Sequence, residues 1–233
     1  MSFNFKQFDI SDDLCTMKVG TDAVLLGAWA NIADVGTILD IGTGSGVIAL
    51  MLAQRSTALI DAVEIDNVSS QQAKENVNRS KWVGRVLINA VSLQHFVECS
   101  NKTYDLIVSN PPYFVDSLKS DNPLRNIARH NDSLPFEELA RCVVTLLNKN
   151  GHFCMILPEP ESNVFGVIAL KKGLFCVKKT FVLPKNNRSN VRVLTEYSFN
   201  KQTIVSDYIV LRNEDNTYTK QYIEFTKDFY LNL

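Results

Sequence analysis

An apolar run that breaks into alternating glycines and then resumes with helical spacing leaves a chain few ways to fold. Residues 37–50 read Thr-Ile-Leu-Asp-Ile-Gly-Thr-Gly-Ser-Gly-Val-Ile-Ala-Leu, which predicts a strand over about 37–41, a turn at Gly42, Gly44 and Gly46, and a helix over about 46–54. Glycines there permit a tight turn and let a ligand approach the backbone closely. A second apolar run, Leu59-Ile60-Asp61-Ala62-Val63-Glu64, ends on a carboxylate about twenty residues downstream. In βαβ units of this kind such a carboxylate accepts the ribose hydroxyls of a bound nucleoside.

The alternation continues along the chain. Strands are expected near 86–91, 104–109 and 151–157, and helices near 67–79, 136–148 and 161–172. Residues 174–199 read as a hairpin turning around Pro184 to Asn190. Residues 20–32 predict an amphipathic helix ahead of the first strand, capped by a side-chain oxygen of Thr21 or Asp22. The class is α/β, a doubly wound and mostly parallel sheet with helices on both faces. With 233 residues and 45% hydrophobic content, the chain can bury one sizeable core. A single domain over 1–233 is expected, comprising a covering segment (1–35), the core (36–200) and a C-terminal extension (201–233).

Open α/β sheets bind ligands beyond the carboxyl ends of their strands. The run 104–109 delivers Asn110-Pro111-Pro112-Tyr113 to that edge. Successive prolines fix φ and remove backbone donors, so the local carbonyls can face a ligand. The Asn110 side-chain oxygen and the Pro111 carbonyl can then accept both hydrogens of a planar amino group, with Tyr113 offering a stacking face and Phe114 an apolar wall. Val47 stands where the dinucleotide fingerprint Gly-x-Gly-x-x-Gly has its third glycine, which argues against NAD.

Together, Gly-x-Gly-x-Gly and Asn-Pro-Pro-Tyr resemble the Rossmann-like methyltransferases that use S-adenosyl-L-methionine to modify exocyclic or amide nitrogens. Phe5-Lys6-Gln7-Phe8, the segment Met17-Lys18-Val19-Gly20-Thr21-Asp22-Ala23-Val24-Leu25-Leu26-Gly27-Ala28-Trp29, and Tyr222, Phe229 and Tyr230 resemble, more specifically, the bacterial valine-tRNA adenine-N6 methyltransferases. That resemblance implies a seven-stranded sheet of order 3-2-1-4-5-7-6 with strand seven antiparallel. It implies an N-terminal helical segment shielding the methionine end of the cofactor, and a C-terminal strand and helix extension. The cofactor set it implies is Thr21, Asp40, Gly42, Gly44, Gly46, Glu64, Ile65, Ser92 and Asn110, and the substrate is tRNA, methylated at the adenine beside the anticodon. Ser92 departs from the aspartate common at that position, though a hydroxyl can accept the same hydrogen bond from the adenine amine. Lys6, Gln7, Phe8 and Lys18 would line the RNA entrance.

A net charge of −1 disfavours a polyanionic partner, but charge is unevenly spread. Lys171, Lys172, Lys178, Lys179, Lys185, Arg188 and Arg192 fall in a stretch without one acid. Nucleic acid feels such a local field. Lys178, Lys179 and Arg188 are therefore expected to contact substrate, as are Arg125 and Arg129, with His130 beside them, in the long polar stretch 115–135. Cys15, Cys99, Cys142, Cys154 and Cys176 form no Cys-x-x-Cys pair, so reduced thiols are expected rather than zinc or disulfides. No metal is expected. A soluble, cytoplasmic protein is expected, since no apolar run approaches membrane-spanning length, and a monomer is favoured. Competing readings are a protein-glutamine N5-methyltransferase, a DNA adenine methyltransferase, a non-catalytic module gripping cofactor and RNA, and an NAD-linked oxidoreductase.

Overall fold

The computed structural model describes residues 2–15, 17–112, 134–185 and 191–231. Tyr113, Phe114, Arg125, Arg129, His130 and Arg188 lie outside the described residues. Ten strands and seven helices follow one another among those described: β1 (Ser2–Asn4), β2 (Asp9–Ser11), α1 (Thr21–Trp29), β3 (Thr37–Ile41), α2 (Val47–Arg55), β4 (Leu59–Glu64), α3 (Asn67–Asn78), β5 (Val86–Ala90), α4 (Leu93–Cys99), β6 (Tyr104–Ser109), α5 (Phe136–Leu146), β7 (Leu147–Pro158), α6 (Glu159–Lys171), β8 (Phe175–Leu183), β9 (Arg192–Ser198), β10 (Val205–Val210) and α7 (Lys220–Thr226). None of these helices is long and apolar enough to cross a membrane.

The main sheet has the order β10-β8-β9-β7-β6-β3-β4-β5. From β5 inward this is the expected 3-2-1-4-5-7-6, and β9, the seventh in that scheme, runs antiparallel to both β7 and β8. The expectation of seven strands needs one correction. The C-terminal extension adds β10 parallel to β8 as an eighth, outermost strand. Asp207 of β10 bonds Thr180 of β8, and Thr180 also receives the Trp29 indole N–H at 2.8 Å.

Strand alternation divides the core into two layers. Ile38, Ile60, Leu106, Val108, Cys154 and Leu194 face α1, α2, α3 and α7. Leu39, Ile41, Val63, Ile107, Phe153 and Met155 face α4, α5 and α6. The central strands β3, β6 and β7 are buried and largely apolar on both faces, as parallel sheets covered on both sides require.

Helix α1 differs from its expectation. It is not amphipathic: every residue from Ala23 to Trp29 is buried. It starts after Gly20 with no side-chain cap from Thr21 or Asp22. The helix lies so close to α2 that a Cβ on Gly27 would stand 2.8 Å from the Met51 sulfur. Arg55 at the end of α2 caps the far end of α1, donating from Nη1 to the carbonyls of Gly27 and Ala30 at 2.7 and 2.9 Å.

The β1–β2 hairpin and α4 were not foreseen, since three-residue strands and a seven-residue helix are too short to display a period. The hairpin brings the two chain ends together. Phe5 stacks on Phe8 at 4.7 Å between ring centroids and pairs by backbone with Tyr230, while Phe8 meets Trp82 edge-on at 5.8 Å.

Candidate active site

Strand register lines up the predicted residues along one edge. Ile41 of β3 is level with Ser109 of β6 on one side and Val63 of β4 on the other, and Glu64 is level with Ala90 of β5. The next residue of each strand therefore follows in a row: Asn110, Gly42, Glu64, Ala90, with neighbouring strands about 4.8 Å apart. The Ser109 hydroxyl donates to the Ile41 carbonyl at 3.0 Å, which fixes the approach to Asn110 against the approach to Gly42. Asn110 is half-buried, Pro111 is buried and Pro112 is exposed.

The glycine turn has the backbone its sequence predicts. Gly42 and Gly44 have φ of +70° and +56°, which side chains disfavour, and a Cβ on either would meet open space. The turn thus presents bare backbone to open space. Glu64 braces it: Oε2 accepts the Gly44 N–H and Oε1 the Asp66 N–H, both at 2.9 Å. These bonds hold the carboxylate at the strand end while leaving lone pairs for a ligand's hydroxyls. Ile65 is 62% exposed, so it fills no core and offers its side chain to whatever lies beside Glu64.

Asp40 lies beneath the turn, fully buried. Its Oδ2 accepts the Thr43 hydroxyl at 2.6 Å and its Oδ1 has no partner among the described residues. Burial pushes its carboxyl up to about 7, against the opposing effect of hydrogen bonds from Thr43 and the Ala49 N–H. Ser92 has a local task as well: it caps α4, its hydroxyl accepting the His95 N–H at 3.2 Å. A hydroxyl keeps a second lone pair and a donor for a ligand.

Two features of the edge were not legible in sequence. Asp22, at the start of α1, pairs with Arg192 at the start of β9, with Nε and Oδ2 3.0 Å apart. This pair ties the covering segment to the sheet across 170 residues. On the other flank, Gln72 and Asn76 of α3 bond to that segment and to the glycine turn. Polar residues four apart on a helix look like a solvated face, and nothing local says that these two are buried.

The predicted RNA-facing lysines separate. Lys6 donates to the Lys227 carbonyl at 2.6 Å, near Gln54 and Arg55 at the end of α2. Helices that follow a parallel strand run back toward its start, so Lys6, with Gln7 and Phe8, lies at the end of the sheet opposite the glycine turn, not at the entrance. Lys18 stays with the covering segment, donating to the carbonyls of Asp12 and Asp13 at 2.7 and 3.0 Å. Lys178 and Lys179 are successive in β8 and so point to opposite faces. The Lys178 ammonium sits over the Trp29 ring, 4.8 Å from its centroid. Lys178 lies five residue steps before the strand end at Leu183, about 16 Å from the carboxyl edge. Lys178 and Lys179 therefore do not share one surface.

The donor set suits a nucleoside attached to a charged amino acid tail: bare turn backbone, a braced carboxylate and an exposed aliphatic side chain. Residues 17–134 match the methyltransferase small domain. The tRNA1(Val) (adenine(37)-N6)-methyltransferase of Bacteroides fragilis is 45% identical, the alignment covering 99% of this chain and 98% of that protein. The protein of the same description from Trichodesmium erythraeum is 46% identical over 98% of this chain and 97% of its own. This chain belongs to the tRNA1(Val) (adenine(37)-N6)-methyltransferase family. Among solved structures, a predicted O-methyltransferase from Agrobacterium tumefaciens superposes with a TM-score of 0.68 over 91% of this chain and all of its own, at 16% identity, and shares the fold. Membership in this methyltransferase family accounts for the glycine turn that lacks the dinucleotide fingerprint's third glycine at Val47.

Proposed function

We propose that this chain methylates N6 of adenine 37, beside the anticodon of tRNA1(Val), with S-adenosylmethionine as donor. The observation that carries the reading is the register that sets Asn110 and Pro111 one strand away from the glycine turn. A cofactor on that turn and an amine at Asn110 would lie on adjacent strand ends, which supports the reading.

When bound, S-adenosylmethionine supplies a methyl group made electrophilic by its sulfonium. Glu64 would receive the ribose hydroxyls, Ile65 would lie against the adenine face, Ser92 would accept from the adenine amine, and Thr21, at the start of α1, would close over the site. Asp40, buried under the turn formed by Gly42, Gly44 and Gly46, would hold that turn through Thr43 without touching the cofactor. The Asn110 side-chain oxygen and the Pro111 carbonyl accept the two hydrogens of the target amine, drawing its lone pair out of conjugation and aiming it. Holding the two reactants in line contributes roughly 7 to 11 kcal/mol toward the barrier. Pro112, with no N–H of its own, leaves those acceptors uncontested. The methylated nitrogen is acidic and loses its proton to water without a dedicated base. A base in an anticodon loop leaves its stack at lower cost than one in a duplex.

Incubation with labelled S-adenosylmethionine and separate pools of tRNA, DNA and protein tests this, with the labelled product mapped by mass. Label on N6 of adenine 37 is the expected result. Label on a glutamine amide or on DNA replaces the substrate, and the absence of any cofactor-induced rise in Tm removes the donor.

The positions of the lysines give a second expected result. Replacing Lys178 and Lys179 with glutamine removes at most one phosphate contact, because the two side chains leave opposite faces of β8. The slope of log K against log salt for tRNA binding then falls by no more than about 0.9. A fall of about twice that size places both lysines on the RNA.

A further inference from the structure

Asn76 is fully buried and uses its whole hydrogen-bonding capacity. Its Nδ2 donates to the Ser11 carbonyl and to the Ser45 carbonyl, each at 2.8 Å, and its Oδ1 accepts the Ser11 N–H at 2.9 Å and an Arg79 guanidinium N–H at 2.6 Å. An amide has two donors and one oxygen with two lone pairs, and all four are engaged. Ser45 lies between Gly44 and Gly46 in the cofactor turn, while Ser11 begins the segment that leads to α1. One side chain therefore bonds both.

Its neighbours extend the connection. One helical turn away, the buried Gln72 accepts the Leu14 N–H at 2.9 Å and donates to Asp13 at 3.2 Å. Further on, the Asp12 carboxylate accepts the Val19 N–H at 2.8 Å and Lys18 bonds the carbonyls of Asp12 and Asp13. On the turn side, α3 fits so closely that a Cβ on Gly46 would lie 3.5 Å from Cβ of Ala73. The floor of the donor site and the segment covering it are both held to α3, and Asn76 is where they share a side chain.

We propose that Asn76 is a positioning residue for the donor site, acting through Ser45 on the glycine turn and through Ser11 on the covering segment, so that cofactor binding orders the two together. This deepens the functional reading and rests on S-adenosylmethionine as the donor. Asn76 touches neither reactant. Its contribution is to keep the turn backbone in the conformation that binds, which moves cofactor affinity and leaves the chemistry at Asn110 alone.

Asn76→Asp keeps the shape and the acceptor for Ser11 and Arg79 and loses the two donations to carbonyls. By calorimetry the Kd for S-adenosylmethionine is expected to rise about tenfold, the effect of leaving a buried carbonyl without its donor. The KM for cofactor rises in parallel, while kcat at saturating cofactor and the KM for tRNA stay within about twofold of wild type. A lowered Tm with unchanged cofactor Kd overturns the proposal, since Asn76 would then only hold the fold. Hydrogen exchange on the wild-type protein gives the same decision should the variant not fold. Added S-adenosylmethionine is expected to slow exchange at residues 43–46 and at 11–15 together, and protection confined to 43–46 overturns the coupling. Wild-type protein that takes up no cofactor overturns the functional reading and this inference with it, whereas uptake with equal Kd in the variant overturns the inference alone.

Discussion

Asn110→Ala lowers kcat by about two to three orders of magnitude while leaving the Kd for S-adenosylmethionine nearly unchanged. Removing one preorganised hydrogen-bonding group aimed at a reacting centre has effects of about that size. The side chain is half-buried at the end of β6, beyond the Ser109 to Ile41 bond that fixes its strand. Truncation to alanine opens no core cavity, so Tm should move little. It removes the side-chain acceptor for the amine and leaves the Pro111 carbonyl to hold the nucleophile alone. In the proposed reading the cofactor is held by Glu64 and the glycine turn, whose mutual hydrogen bond does not involve Asn110. Single-turnover methylation of tRNA, with calorimetry of the cofactor, separates the two quantities. Wild-type turnover in the variant takes Asn110 out of the reaction, and an equal loss of cofactor affinity reassigns it to the donor.

Asp40→Asn should make the protein more stable than wild type as pH rises from about 4 to about 7. The carboxyl titrates at an ordinary 3.8 in the unfolded chain and at about 7 when buried beneath the turn. Between those values the native state holds a proton that the unfolded state releases, so wild-type stability falls as pH rises through the window. At 1.36 kcal/mol per pH unit, the difference reaches about 4 kcal/mol by pH 8. Asparagine does not titrate and keeps an oxygen for the Thr43 hydroxyl, so the gain of the variant over wild type should grow with pH. Urea unfolding of both proteins at pH 5 and pH 8 measures it. A pH-independent difference in stability would mean that Asp40 titrates as an ordinary carboxyl.

Much of the site could be read from sequence because it is local. The turn at Gly42 and Gly44, the carboxylate at Glu64 and the Asn-Pro-Pro arrangement each occupy one strand end, and chain direction alone sends every strand end of a parallel sheet to the same edge. The seven-strand order followed from resemblance. The resemblance also implied a strand and helix beyond residue 200, but the place of β10 as an eighth strand of the sheet was not legible, because only Ile209 is buried along its length and no periodic apolar pattern marks it. Helix α1 was expected to be amphipathic, but it is buried all round by the sheet, α2 and α7; the run from Ala23 to Trp29 has no polar residue, so its own sequence carries that signal and only the packing partners come from the tertiary structure.

The lysines show the same division. Lys6, Lys178 and Lys179 are basic in any sequence reading, yet the end and face each occupies depend on how distant segments pair. Lys6 is carried to the far end by the bridge between Phe5, just after β1, and Tyr230, and Lys178 is drawn onto Trp29. Asn76 reverses the pattern, a polar helical residue that became a buried link because Ser11 and Ser45 both converge on it.

The order of residues alone determined the mostly parallel sheet and the edge at which the glycine turn, Glu64 and Asn110 meet, because those properties arise from strand direction and neighbouring backbone. Only the tertiary structure decided which charges share a surface, which amides are buried and what joins the covering segment to the turn. Those contacts link residues far apart in the chain, and their formation depends on the packing of the whole core.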